Sequence, residues 1–249
     1  FPEGNNEFIK IAASKLADKC EPILLNGDLN AAAKMVKNAE ADAMIAGVDY
    51  SSRDVILATR DIIGVRESQK TFSSLFVADL PDASRIILSD GATCKNPSAT
   101  QLSDIIYLVN EAAQKILKSS PKIAMLSFST IGSGGHDPSI DKIAEAIALA
   151  RLKNPNLIID GEMQLDAAVD SRVASKKIPN SPVAGQANVL IVPDINSGNI
   201  LYKSLEHFAH AVVAGPILLG FKAPVSDLSR GSTVEDIVKT AESIISLMA

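Results

Sequence analysis

Three residues near the end of the chain have the right types to do chemistry together: Ser229, Arg230 and Asp236. A hydroxyl can hydrogen-bond a reacting oxygen. A guanidinium clamps an oxyanion with two parallel donors. A carboxylate can take a proton. They lie in Ser229-Arg230-Gly231-Ser232-Thr233-Val234-Glu235-Asp236, and Ile237, Val238, Ala241 and Ile244 follow as an apolar stripe at helical spacing. The group therefore falls at the start of a helix, where free N–H groups and the dipole favour anions. Helix-start chemistry explains part of the pattern. Ser232 and Glu235, three apart, fit a capping box, and Asp236 suits the positive end of the dipole. With Glu235 in the box, Asp236 lies about 100° further round the helix and is free. Ser229 and Arg230 precede the cap, so capping leaves them unexplained.

A second candidate is the loop Ser127–Ser139, which holds Ser127, Ser129, Thr130, Ser133 and three glycines. Its N–H groups and hydroxyls could cradle a phosphate. Gly132-x-Gly134-Gly135 lacks the later glycine of a dinucleotide fingerprint, and no Gly-Lys-Ser/Thr follows, so it is not a Walker loop. Asp160, Glu162, Asp166 and Asp170 could be metal ligands, but helix-start acids fit them equally well. Asp194, Asn196 and Asn199 are accounted for by turn chemistry, with Ser197 as an N-cap. His136, His207 and His210 read as loop or helix-end residues.

These residues need a scaffold. The 249 residues, 47% hydrophobic, are enough for one large or two modest domains. A net charge of -5, spread along the chain, offers no block for nucleic acid or a membrane surface. Cys20 and Cys94 form no C-x-x-C and imply neither disulfide framework nor zinc site. No apolar run would span a bilayer, and a cytoplasmic protein is expected. Strands are expected at Pro22–Leu25, Ala43–Ala46, Ser74–Ala78, Arg85–Leu88, Ile123–Ser127, Leu157–Ile159, Val189–Val192 and Ala211–Val213. Helices are expected at Asn5–Lys19, Asn30–Asn38, Arg53–Ile63, Ala99–Leu117, Ile140–Leu152, Leu165–Ser175, Ser197–Phe208 and Thr233–Leu247. Strands alternating with helices imply βαβ units and an α/β fold with largely parallel sheets. Ligands then bind beyond the carboxyl ends of strands. The chain opens on Phe1 rather than Met, so further residues are expected before it.

The order of the blocks carries more than any one of them. Ala124–Thr130, Ile159–Val169, Ser181–Lys203, Ala214–Gly220 and Lys222–Val238 together resemble the phosphate acetyltransferase and butyryltransferase family. The likeness extends back through Asn96–Leu102, Ser73–Asp82, Ala41–Ile63 and Phe1–Leu16. It implies an isocitrate dehydrogenase-like fold of two α/β domains with a cleft between them. The first would be 1–64 with 221–249, the second 65–220. It also implies the reaction, reversible acyl transfer between coenzyme A and phosphate. Coenzyme A would be a substrate, with no resident cofactor and no metal, and the protein would be a homodimer.

In that reading Asp236 is the base for the coenzyme A thiol. Arg230 binds phosphate and stabilises developing charge. Ser229 hydrogen-bonds the reacting carbonyl or phosphate, and Ser127, Ser129 and Thr130 line the phosphate side. A free thiol ionises near pH 8.5 and a free aspartic acid near 3.9, so a carboxylate base needs help from burial or from a site that stabilises thiolate. Family members carry Gln at the position of Leu219 and Asn at that of Ser226. An arginine of the acetyl branch falls on Leu57, with Arg53 one turn earlier on the same face. A lid segment usual after Asn26 is missing, and an extra segment is expected there. Acetyl and butyryl transfer both stay open: Gly231 with its following acids favours acetyl, and Gly198–Ala209 reads closer to the butyryl branch. A non-catalytic effector-binding domain of the same fold is the other alternative. A dehydrogenase lacks its fingerprint.

Overall fold

The computed structural model describes residues 1–67 and 69–248. Helices α1 (Glu7–Leu16) and α2 (Leu29–Lys37) precede β1 (Met44–Ala46) and α3 (Ser52–Ala58). Strands β2 (Ser73–Asp79) and β3 (Arg85–Ser89), helix α4 (Ala99–Leu117), β4 (Ile123–Leu126), α5 (Pro138–Lys153) and β5 (Ile159–Met163) follow. The chain goes on through α6 (Leu165–Val169), α7 (Ser171–Lys177), β6 (Val189–Ile191) and α8 (Ile195–Phe208) to β7 (Val212–Leu219), β8 (Val225–Asp227) and α9 (Val234–Met248). It divides into two compact units: Phe1–Val77 with Val212–Ala249, and Ala78–Ala211. The fold is α/β with mostly parallel strands, as the alternation of elements implies.

In the second unit the strand order is β3-β6-β4-β5, every neighbour parallel. Ile87, Leu88, Ile123–Leu126 and Val189–Ile191 are continuous apolar runs, as strands covered on both faces require. Helix α4 buries Ile105, Ile106, Val109 and Ala113, and α5 buries Ile143 and Ile147. A Ser98–Gln101 capping box starts α4. Because the strands are parallel, the loops after β3, β4, β5 and β6 share one edge of the sheet. The helix expected at Leu165–Ser175 is broken at Asp170. That residue is extended, and its carboxylate accepts Arg172 N–H at 2.8 Å to start α7.

The first unit orders its strands β1-β8-β7-β2, with β1–β8 parallel and β7–β8 antiparallel. Val36, Met44, Val55, Ile63, Phe221 and Val225 form one buried cluster. Strand β7 runs through Gly215-Pro216, well past the expected stop at Val213. Gly215 makes this possible: its φ is +117, and a Cβ there would lie 2.8 Å from Leu75 O. Its N–H leaves the ladder and donates to Thr240 Oγ1 at 2.8 Å. Pro22–Leu25 forms no strand, although Leu25 N–H donates to Phe1 O at 2.9 Å. Helix α3 continues as a π-helical turn, Thr59–Ile63. Residues 26–29 close the connection to α2 directly: Gly27 N–H donates to Pro2 O at 2.8 Å, and Asp28 caps the helix. Among the described residues no helix is long and apolar enough to cross a membrane.

Candidate functional site

In the first unit β8 delivers the candidate segment to α9. Leu228 N–H donates to Ala46 O at 2.5 Å, which ties the end of β8 to β1. The chain then turns: Ser232 N–H donates to Ser229 O at 2.9 Å, and Gly231 N–H to Ser229 Oγ at 3.2 Å. Ser232 is buried by this turn, and Ser229 and Arg230 are exposed. The Ser229 hydroxyl accepts one bond and keeps its own proton. Among the described residues Arg230 has no hydrogen bond or ion pair, so its donors are available.

The capping register is one residue later than Ser232–Glu235. Thr233 Oγ1 accepts Asp236 N–H at 3.2 Å, while Thr233 N–H and Oγ1–H both donate to Asp236 Oδ2 at 2.8 Å. The box is Thr233–Asp236, and Glu235 is exposed. The reason is local: the turn at Ser229 already takes the Ser232 N–H, so Glu235 has no N–H there to receive, and the reciprocal pair forms one residue later. Asp236 is therefore buried, at 8% exposure, rather than free of the cap. Only Oδ2 is engaged; Oδ1 has no hydrogen-bond partner among the described residues. One oxygen fixes the side chain and the other can take a proton.

In the second unit the glycine-rich loop follows β4. Ser129 Oγ donates to Glu162 Oε1 at 2.8 Å and accepts Gly134 N–H at 2.8 Å. Thr130 Oγ1 accepts Gln164 N–H at 3.0 Å, and Thr130 N–H donates to Ser133 Oγ at 2.9 Å. Both residues are buried. Ser127 is half-buried, and its Oγ accepts Ser129 N–H at 3.2 Å. Of these three hydroxyls only Ser127 has an uncommitted proton and some exposure. The structure thus groups Ser229, Arg230 and Asp236 in one unit, and Ser127, Ser129 and Thr130 in the other.

Residues 8–245 match the family model described as phosphate acetyl/butaryl transferase. A phosphate acetyltransferase from Clostridium acetobutylicum is 42% identical over 208 residues, 82% of this chain and 62% of that protein. One from Treponema pallidum is 42% identical over 84% of this chain and 65% of its own. A phosphotransacetylase crystal structure from Streptococcus pyogenes superposes with a TM-score of 0.84 at 32% identity, covering all of this chain and 92% of that one. The chain belongs to the phosphate acetyl/butaryl transferase family. It spans less than two thirds of the length of these two curated relatives.

Within this family member the acids Asp160, Glu162, Asp166 and Asp170 do not converge. Asp166 pairs with Lys177 at 3.0 Å, Asp170 with Arg172 at 2.9 Å, and Glu162 holds the glycine-rich loop. Among the described residues no three His, Cys, Asp or Glu side chains are placed to hold a metal. Leu57 lines a hollow with Asp28, Asp54 and Asp61, so three carboxylates border the place where an arginine is expected. Arg53 is exposed and has no partner among the described residues. A separate apolar groove of about 240 Å³, lined by Leu16, Ile23, Met44 and Ile244 among others, includes none of the candidate residues.

Two buried acids were not legible in the sequence. Glu3, at 4% exposure, accepts N–H bonds from Gly47, Asp49 and Tyr50 at 3.1, 2.7 and 3.1 Å. Asp227, at 3% exposure, ends β8 two residues before Ser229, and its Oδ1 has no partner. Burial pushes the Asp227 carboxyl up to about 6; a hydrogen bond from Ser52 pulls it down and the Glu3 charge pushes it up. Gly47 lies against Asp227: a Cβ there would be 2.8 Å from Asp227 Oδ1 and 2.5 Å from Leu228 O, at φ +119. Both carboxylates thus meet the loop from Gly47 to Ser52: Glu3 holds its amides, and Asp227 lies against Gly47 and takes the bond from Ser52. A short polar Val-Ser-Asp strand after Pro224 has no periodicity from which to infer this.

Proposed function

We propose that the protein transfers an acetyl group reversibly between coenzyme A and phosphate. The observation that carries the proposal is the segment ahead of α9, with free donors on Ser229 and Arg230 and a half-committed carboxylate on Asp236. In the thioester-forming direction the coenzyme A thiol loses its proton to Asp236 Oδ1, because only the thiolate attacks well. The thiolate sulfur bonds to the carbonyl carbon of acetyl phosphate. Charge grows on the carbonyl oxygen, which Ser229 stabilises. The carbon–oxygen bond to phosphate then breaks, and Arg230 receives the leaving phosphate with bidentate, charge-assisted bonds. In the other unit Ser127 presents an uncommitted hydroxyl proton, while Ser129 and Thr130 shape its loop. Coenzyme A enters and leaves as a substrate, and the working unit is proposed as a homodimer in the cytoplasm.

The relatives' names and the match over residues 8–245 support the reaction class. The test is direct: mix protein, acetyl phosphate and coenzyme A with a chelator, and follow thioester formation by ultraviolet absorbance. Turnover is expected without added metal. Absence of thioester, with or without metal, would remove the proposal. Turnover of butyryl phosphate alone would move it to a longer acyl chain.

A further inference from the structure

Glu162 has a place in the glycine-rich loop that no motif indicates. It is in β5, and its side chain is 5% exposed. Oε1 accepts both the Ser129 hydroxyl and Gly132 N–H, each at 2.8 Å. Its own carbonyl accepts Ile131 N–H at 3.0 Å. Ser129 Oγ, held in this way, accepts Gly134 N–H at 2.8 Å. Among the described residues no cation pairs with this carboxylate. A buried carboxyl group needs hydrogen-bond partners, and the loop supplies two of them to Oε1. They are the same donors, a hydroxyl and a glycine N–H at a loop after a strand, that an exogenous oxyanion would use.

We infer that Glu162 is the internal anion of this loop: its carboxylate, and not substrate phosphate, occupies the donor cradle formed by Ser129 and Gly132. Glu162 is a positioning residue. By filling the cradle it fixes the loop in the shape that leaves Ser127, two residues before Ser129, with a hydroxyl to give to substrate. This last step rests on the proposed acetyl transfer; the filled cradle does not. The inference also explains why Ser129, in a loop of the right composition to bind phosphate, is turned inward; the Thr130 hydroxyl is held by Gln164 instead.

The experiment uses the full chain with Glu162→Ala and Glu162→Gln, and sodium formate as a small carboxylate probe against sodium chloride at equal ionic strength. In Glu162→Ala the Gly132 and Gly134 amides should exchange with deuterium roughly 10–100-fold faster, the scale of a lost charge-assisted bond. Formate should restore their protection and raise the melting temperature of this variant, leaving the wild type unmoved. Glu162→Gln has an amide oxygen that accepts the same two bonds, and its loop should stay protected. In the acetyl-transfer assay KM for acetyl phosphate should rise in Glu162→Ala more than kcat falls, and formate should lower it again. Unchanged exchange at Gly132 in Glu162→Ala, or a formate effect equal in variant and wild type, would overturn the inference. Where Glu162→Ala does not fold, loop protection in Glu162→Gln decides: protection near wild type supports the inference, and exchange at open-loop rates refutes it. Where the wild type transfers no acetyl group, the proposed reaction fails, and exchange and melting still test Glu162.

Discussion

Asp227→Asn should remove a specific pH dependence from the stability of this protein. The wild-type carboxyl is pushed from its ordinary 3.8 up to about 6 in the folded chain, chiefly by burial. The folded state then holds the proton more tightly than the unfolded state does. Stability from this group is fully present below about pH 3.8, falls as pH rises through the window, and is gone above about 6. A shift of roughly two units at 1.36 kcal/mol each gives about 3 kcal/mol across the window. Asparagine has nearly the same shape, can still accept from Ser52, and does not titrate. Its amide group leaves donors unsatisfied at a cost of about 1–3 kcal/mol, but that cost is the same at every pH. The useful quantity is therefore the double difference. Urea unfolding of both proteins at pH 4, 5, 6 and 7 should show the variant gaining on the wild type by about 2.4 kcal/mol from the acid end to the neutral end, because part of the change lies below pH 4. For a chain of this size that is roughly 5–10 °C in melting temperature. Glu3→Gln keeps an acceptor for the Gly47, Asp49 and Tyr50 amides and removes the charge that pushes Asp227 up. In that background the double difference should shrink. Stability curves that stay parallel within about 0.5 kcal/mol would refute the reasoning, because a buried, unpartnered Asp227 Oδ1 could not then be what raises the carboxyl.

Other substitutions test the segment ahead of α9. Arg230→Ala should lower kcat by roughly 10²–10³-fold, the loss of one transition-state donor, with the melting temperature unchanged because the side chain is exposed and unpaired among the described residues; circular-dichroism melts beside the thioester assay check both halves. Asp236→Asn retains an acceptor for Thr233 N–H and should lower kcat by about 10²–10⁴-fold with a small stability change, whereas Glu235→Gln should leave kcat unchanged; equal effects on kcat would mean Asp236 is a cap alone. A Cβ at Gly231 would meet only Ser229 Oγ, at 3.8 Å. Gly231→Ala should therefore fold with its melting temperature unchanged, so any rise in KM would report crowding of substrate rather than a disturbed turn.

Much of the scaffold was legible because its signals are local. Ala99–Leu117 has an N-cap at Ser98 with Gln101 three residues on, and an apolar stripe along its length; the helix has those bounds. Ile123–Leu126 and Val189–Ile191 are apolar runs that only covered parallel strands bear. The misses fall where tertiary contacts decide. Gly215-Pro216 reads as a strand end, yet β7 continues because Thr240 takes the Gly215 N–H and Ser226 Oγ donates to Pro216 O at 2.8 Å. Three-residue β8 has no pattern of its own; its partners β1 and β7 define it. Glu3 and Asp227 are ordinary surface letters until Gly47, more than forty residues from one and nearly two hundred from the other, brings them to a common loop.

The candidate site shows a different limit. Ser229, Arg230 and Asp236 could be picked out by type, but the register of the cap could not. Ser232-x-x-Glu235 and Thr233-x-x-Asp236 are both capping boxes by spacing. What separates them is the turn at Ser229, which takes the Ser232 N–H before the helix begins. The consequence reaches the chemistry. With Glu235 in the box, Asp236 would be a free side chain, with its rotamers to be fixed by substrate. With Asp236 in the box, Thr233 fixes Oδ2 through two bonds of 2.8 Å before any substrate arrives. Ordering a proton acceptor in advance lowers the entropic cost of the reacting geometry. The same residue can therefore start the helix and serve the reaction, provided that each task uses a different oxygen. Thr233→Val separates the two. It removes the cap hydroxyl at a cost of about 1 kcal/mol and leaves Asp236 Oδ2 with the backbone N–H of residue 233 as its one remaining bond there, so the carboxylate is still present but less firmly held. A fall in kcat well beyond that in stability would show that the cap positions the base. A melting shift with kcat intact would show that Oδ2 and Oδ1 act independently.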